Sequence, residues 1–157
     1  VKARYAVLAT ALIAMLALMP ARAALAATTQ PAAPDRISAL DNAALNWAES
    51  HATGHPYVWG GSGPYGYDCS GLVSAAFAKV GIYLPHSTYA MLGSRHLIRV
   101  PLSDVRRGDI LFFGTGHVEF ATVWHDMSFG AHDSGTTVGW IRWWPGSWAP
   151  TAAYEVA

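Results

Sequence analysis

Asp68-Cys69-Ser70-Gly71-Leu72-Val73-Ser74-Ala75-Ala76-Phe77-Ala78-Lys79-Val80-Gly81 is the stretch that decides how this chain folds. Leu72, Val73, Ala76, Phe77 and Val80 recur at helical spacing and line one face with apolar side chains. Asp68 suits the N-cap, because its carboxylate can accept backbone N–H groups that a helix leaves without partners in its first turn. Gly81 stops the helix at the other end. Cys69, the only cysteine in the sequence, therefore falls in the first turn. A thiol there feels the positive end of the helix dipole and nearby N–H groups, both of which favour thiolate. The Cys69 N–H would also face the oxygen of any carbonyl that the sulfur attacks.

The same reading extends along the chain. Ile37, Leu40, Ala44, Leu45, Trp47 and Ala48 predict an earlier helix that ends between His51 and Gly54. Glycine, proline and aromatic residues over 55–67 predict an ordered loop. Leu84-Pro85-His86-Ser87 reads as another loop, with Ser87 capping a shorter helix through about Ser94. Past Pro101 the pattern turns to strands at 110–113, 118–124, 127–131 and 137–143, with a last one at 153–156. Helices followed by strands predict an α+β domain, an antiparallel sheet with its helices packed on one side.

Lys2 and Arg4 precede an apolar run over 5–19, and Ala21-Arg22-Ala23 and Ala24-Leu25-Ala26 offer small-x-small cleavage sites. Residues 1–26 are thus expected to be a signal peptide, 27–34 a linker of small residues and proline, and 35–157 one domain. The apolar run is short against the roughly 20 residues a spanning helix needs, so no stable membrane anchor is expected after cleavage. Cleavage would remove Lys2, Arg4 and Arg22 from ten basic residues and none of the ten acidic ones, taking the formal charge from 0 to −3. That balance argues against nucleic acid and anionic membrane surfaces as partners. An exported chain with one thiol cannot form an internal disulfide. The thiol is then inert and buried, bridged to another molecule, or chemically active.

An active thiol needs a base, and there are seven histidines. His117 follows Gly114-Thr115-Gly116 and opens an apolar strand, so a turn delivers it to the sheet edge. His132 lies just past the next strand, and pairing of the two strands through the His125-Asp126 turn brings both imidazoles together. His86, in the loop after the cysteine helix, is read as substrate-facing or structural; His51, His55, His96 and His125 are read as surface or turn residues. A zinc site at His117, His125 and His132 is the competing reading. The sequence lacks a His-Glu-x-x-His motif, a second cysteine and tight ligand spacing, so no metal and no cofactor are expected. A serine nucleophile is set aside for want of a Gly-x-Ser-x-Gly elbow.

These residues resemble the NlpC/P60 family of papain-like cysteine peptidases, which cut bacterial cell-wall peptides. Pro56-Tyr57-Val58-Trp59-Gly60-Gly61 is similar to the family's first motif, Asp68-Cys69-Ser70-Gly71-Leu72-Val73 to its nucleophile motif, and Leu84-Pro85-His86-Ser87-Thr88 to its Leu-Pro loop. Arg107-Gly108-Asp109-Ile110-Leu111-Phe112-Phe113 and Gly116-His117-Val118 resemble its Gly-Asp strand and histidine motif, in the family's order. The resemblance implies Cys69 as nucleophile, His117 as base and acid, His132 as the residue orienting the imidazole, and the Tyr57 hydroxyl as an oxyanion donor. Asp68, Ser70, Trp59 and Glu119 are the expected substrate-side residues, Asp68 and Ser70 also serving the helix start.

Two positions depart from the family's pattern. Glu119 stands where the family usually has glycine; by strand alternation it shares a face with His117, which directs it to substrate or to the imidazole. The interval from His117 to His132 is also longer than the common one, which makes Asp133 the next candidate for the third residue. The implied activity is a secreted, periplasmic or wall-associated monomeric endopeptidase acting on peptidoglycan stem peptides, at γ-D-glutamyl bonds to a diamino acid. A noncatalytic wall-binding module, and a thiol amidase or acyltransferase, are the alternatives.

Overall fold

The computed structural model describes residues 33–143 and 148–157. The expected signal peptide at 1–26 and most of the expected linker lie outside the described residues. The first helix, α1 (Ala33–His51), begins within that linker, two residues ahead of the expected domain start at Asp35. Pro34 is compatible with this start because first-turn N–H groups have no intrahelical acceptor, so its missing donor is not needed.

The second helix, α2 (Cys69–Lys79), is capped by Asp68, whose side chain accepts the Gly71 N–H. Gly81 follows its C-terminus at φ +86°, the left-handed conformation that ends a helix. A one-turn helix, α3 (Thr88–Met91), is capped by Ser87 and ends earlier than the expected Ser94.

Six strands follow among the described residues: β1 (Leu97–Val100), β2 (Ile110–Phe113), β3 (His117–Ala121), β4 (Met127–Gly130), β5 (Gly139–Arg142) and β6 (Ala152–Val156). They form one antiparallel sheet in the order β1-β6-β2-β3-β4-β5. β1 was not expected from the sequence. It pairs only with β6, more than 50 residues later, and its middle residues Ile98 and Arg99 are exposed. β3 is shorter than the expected 118–124 because Thr122 begins the turn. The Thr122 hydroxyl donates to the Met127 carbonyl at 3.0 Å and accepts the Trp124 N–H at 3.1 Å. Phe120 then faces Phe129 and Ala121 faces Ser128 across the β3–β4 hairpin.

Alternation divides the sheet into two faces. Val118, Phe120, Phe129, Ile110 and Phe112 pack with Leu72, Val73 and Phe77 of α2 and with Ala44, Leu45 and Ala48 of α1. Phe77 stacks on Phe120 with ring centroids 5.8 Å apart. The opposite face carries a smaller cluster of Leu111, Phe113, Ala121 and Ala153, covered by Val105, Trp143 and Trp148. The α+β architecture, with helices on one face, is the one that the helix-then-strand pattern predicts.

α1 also buries a carboxylate. Asp41 is fully enclosed and accepts the Val156 N–H at 3.2 Å, which ties the helix to β6. Burial pushes its pKa up to about 8, against the pull of the Val156 N–H, with the charges of Asp109 and Glu155 adding to the rise. Between an ordinary aspartate pKa and about 8 the folded state retains a proton that the unfolded chain has lost, so stability falls as pH rises through this window. Asp41→Asn keeps the acceptor and removes the titration. Urea unfolding at pH 4.5 and pH 8 should show a smaller loss of stability across the interval in Asp41→Asn than in wild type.

Candidate active site

Asp68 organises the start of α2. Its Oδ1 accepts the Gly71 N–H at 2.6 Å, the Ser70 hydroxyl at 3.2 Å and the His86 Nε2–H at 2.8 Å, and its Oδ2 accepts the Gly60 N–H at 2.8 Å. One carboxylate thus joins the helix, the 55–67 loop and the Leu-Pro loop. The approach is close enough that a Cβ on Gly71 would collide with the Gly61 carbonyl and lie 2.6 Å from His86 Nε2. His86, read as substrate-facing or structural, therefore serves as a partner of Asp68. Asp68 and Ser70 line the cleft beside Cys69, but their polar atoms are turned toward each other and toward the backbone.

The 55–67 loop is held in place from two sides. Val58 N–H bonds to the Tyr67 carbonyl and Tyr57 N–H to the Thr136 carbonyl, each at 2.9 Å, so Tyr57 is anchored to the segment that follows His132. The Tyr57 hydroxyl is held above its ordinary pKa, first by burial and then by the charges of Cys69, Asp68 and Asp133. It stays protonated, a hydrogen-bond donor within electrostatic reach of the sulfur. Trp59 is 86% exposed and lines the same cleft, where Tyr89 of α3 is a second exposed aromatic that the sequence reading did not single out.

Cys69 is 7% exposed, with its sulfur 3.9 Å from the Thr88 hydroxyl. Burial raises the thiol pKa, but hydrogen bonding and charge from His117, with smaller help from the Val118 backbone and Thr88, carry it below the ordinary value. His117 moves the opposite way. Burial lowers it, while Cys69 and Glu119 raise it to about 9. The two shifts run in opposite directions, each favouring the charged form, thiolate on Cys69 and imidazolium on His117. Thr88 was not anticipated, although it ends the Leu-Pro motif and is a buried hydroxyl at the start of α3.

The surroundings of His117 differ from expectation. Its Nε2–H donates to Glu119 Oε1 at 3.0 Å, and the His132 Nδ1–H donates to the same oxygen at 3.2 Å. The two imidazoles are close, with ring centroids 5.7 Å apart, but a carboxylate stands between them. Glu119 is 0% exposed, so it cannot be the substrate contact that the sequence reading allowed. Its second oxygen accepts the Ser128 hydroxyl. Burial raises the Glu119 carboxyl, and the hydrogen bonds from His117 and His132, the His117 charge and the Ser128 hydroxyl more than reverse it, leaving it ionised. With Nε2 committed to Glu119, Nδ1 is the His117 nitrogen left to serve Cys69.

Trp148, absent from the sequence reading, packs 4.5 Å from the His132 ring and 5.4 Å from the His117 ring, and stacks on Phe113 at 4.1 Å. The other histidines are engaged elsewhere: His51 stacks on Trp47, His55 packs edge-on against Tyr67, and His96 Nδ1 bonds to the Ala157 carbonyl. His125 is exposed in the β3–β4 turn. Asp133 is exposed and its carboxylate accepts the Ser134 N–H. Among the described residues, His117, Glu119 and His132 form the group with metal-ligand chemistry, their donor atoms lying within 4.8 Å of one another. In this geometry those atoms satisfy one another as hydrogen-bond donors and acceptor.

The site can be set beside known proteins. A model of the NlpC/P60 family matches residues 54–142, more than half of the chain. Peptidoglycan endopeptidase RipA of Mycobacterium tuberculosis is 38% identical over 86 residues, 45% of this chain and 17% of that protein. The bifunctional muramidase/DL-endopeptidase CwlT of Bacillus subtilis is 39% identical over 90 residues, 52% of this chain and 26% of that protein. The matched stretch thus spans less than a third of either relative. The crystal structure of the NlpC/p60 domain of peptidoglycan hydrolase SagA, 29% identical, superposes with a TM-score of 0.61 over 73% of this chain and 97% of that one. The family match covers the Tyr57 loop, the cysteine helix and the histidine hairpin alike, and on that match the chain belongs to the NlpC/P60 family.

Proposed function

We propose that this domain is a cysteine endopeptidase that hydrolyses stem peptides of bacterial peptidoglycan, at γ-D-glutamyl bonds to a diamino acid. The observation that carries the enzymatic reading is the paired shift of Cys69 and His117, the thiol lowered and the imidazole raised to about 9. A noncatalytic wall-binding module would have no use for such a pair. The wall as substrate rests on the names of the relatives, RipA and CwlT. Reaching it would require export, the role assigned to residues 1–26.

In this mechanism the Cys69 thiolate attacks the peptide carbonyl. The oxyanion is met by the Cys69 backbone N–H at the start of α2 and by the Tyr57 hydroxyl. His117 gives its Nδ1 proton to the leaving amine and a thioester remains. His117, now neutral, takes a proton from water, the hydroxide attacks the thioester, and collapse of the second tetrahedral intermediate restores the thiolate–imidazolium pair. The cleft beside Cys69, lined by the exposed rings of Trp59 and Tyr89, would hold the peptide by stacking against its planar amides.

Cys69→Ala should lower release of peptide fragments from purified peptidoglycan at least ~1,000-fold, read by mass spectrometry, with an unchanged circular dichroism spectrum. Activity retained by that variant would sink the assignment. Tyr57→Phe removes one donor and should reduce kcat by about 10²–10³ with the thiol still reactive.

The pH profile follows from the pair. Activity needs thiolate and imidazolium together, so it rises through the lowered Cys69 pKa and falls as pH passes through about 9, where His117 deprotonates. Hydrolysis rates between pH 5 and pH 10 should trace a bell with its alkaline limb near that value.

A further inference from the structure

Glu119 is a carboxylate with no exposed surface, set in the middle of a sheet. Enclosing such a charge is strongly unfavourable unless donors replace its water. Here three donors from two strands and a loop do so: His117 Nε2–H, His132 Nδ1–H and the Ser128 hydroxyl. The space for it comes from Gly130. One step along the hairpin register from Phe120 and Phe129, Glu119 lies opposite Gly130. A Cβ at Gly130 would come within 2.6 Å of Glu119 Cγ and 2.9 Å of Cδ. β4 gives up its side chain at the one position where β3 projects a carboxylate.

We propose that Glu119 is the residue that positions His117, and that His132 acts one step further out by holding Glu119. This rests on the reading of Cys69 and His117 as the catalytic pair, and it reassigns the orienting role from His132 to a residue two positions from His117 on the same strand. The order of contact is Cys69, His117, Glu119, His132. Because Glu119 Oε1 accepts the hydrogen bond from Nε2–H and keeps the proton on that nitrogen, the neutral imidazole that follows acyl transfer must present Nδ1 as the base. Its charge also holds the imidazolium that sustains the thiolate. His132 adds a second donor to the same oxygen and, with Trp148 across both rings, limits rotation of the carboxylate.

The groups that face this charge are His117, His132 and the Ser128 hydroxyl, with Cys69 coupled to it through His117. Two readouts separate the proposal from the choice of substrate. Peptidoglycan cleavage tests the function, and the pH dependence of Cys69 alkylation by iodoacetamide tests the pair without any substrate. Glu119→Gln should raise the apparent thiol pKa toward an ordinary cysteine and lower kcat about 10²–10⁴-fold with KM little changed. His132→Gln should keep the alkylation profile and lose less than about 10-fold in kcat.

The proposal is overturned if His132→Gln moves the alkylation profile and Glu119→Gln leaves it in place. Should Glu119→Gln fail to fold, the double variant Glu119→Gly with Gly130→Glu decides, since it returns a carboxylate to the same space from the facing strand. A folded double variant with a low thiol pKa supports the positioning role, and one with an ordinary thiol pKa overturns it. Wild type that cleaves no peptidoglycan yet alkylates with a low thiol pKa would refute the function while leaving the role of Glu119 standing.

Discussion

The Asp68 carboxylate is the constraint from which the site is built. Its two oxygens collect donors from the first turn of α2, from Gly60 in the preceding loop and from His86 after the helix. A cap ordinarily satisfies one helix terminus; this one also fixes where two loops meet that terminus. The position of Cys69 follows, because the sulfur has only the first turn in which to sit and the surrounding backbone is already pinned. Gly71 is part of the same constraint, as the collision a Cβ would cause with the Gly61 carbonyl shows that the loop and helix touch with no space for a side chain.

The second organising element is the β3–β4 hairpin. It places His117 at the sheet margin beside α2 and sets a buried carboxylate behind it, so the charge on the imidazole has neighbours of opposite sign on both sides. The sulfur is partly enclosed by the apolar core, whose low polarity alone would keep it protonated. The two shifts run against the effect of burial because the same burial that penalises each charge also strengthens the attraction between them. The hydrophobic packing of Phe77 on Phe120 bears on this chemistry, since it holds the helix carrying the thiol against the strand carrying the imidazole.

Much of this was legible in the residues. α2 carried a cap, an apolar stripe and a terminating glycine in one run, and β2 stands at the expected 110–113. The hairpin was readable because hydrophobic alternation resumed on either side of His125-Asp126. β1 was not, because an edge strand with two exposed residues has little pattern of its own and is defined by a partner from the far end of the chain. Glu119 was only half legible. Alternation gives the face of a residue but not its depth, and a charged residue in a strand ordinarily faces water. The signal that could have located it was Gly130, a glycine inside the facing strand at the matching register. Trp148 and Thr88 reach the site only through tertiary packing, which no local pattern encodes.

The one cysteine of the sequence has a further consequence. A thiolate is the form that peroxides attack, and the sulfenic acid that results is rescued inside many proteins by condensing with a second thiol. These 157 residues hold no second thiol, so an oxidised Cys69 finds no disulfide partner among them, and oxidation past the sulfenic stage is irreversible. The features that favour the thiolate therefore also favour its oxidation, with its narrow exposure of 7% as the protection built into the fold.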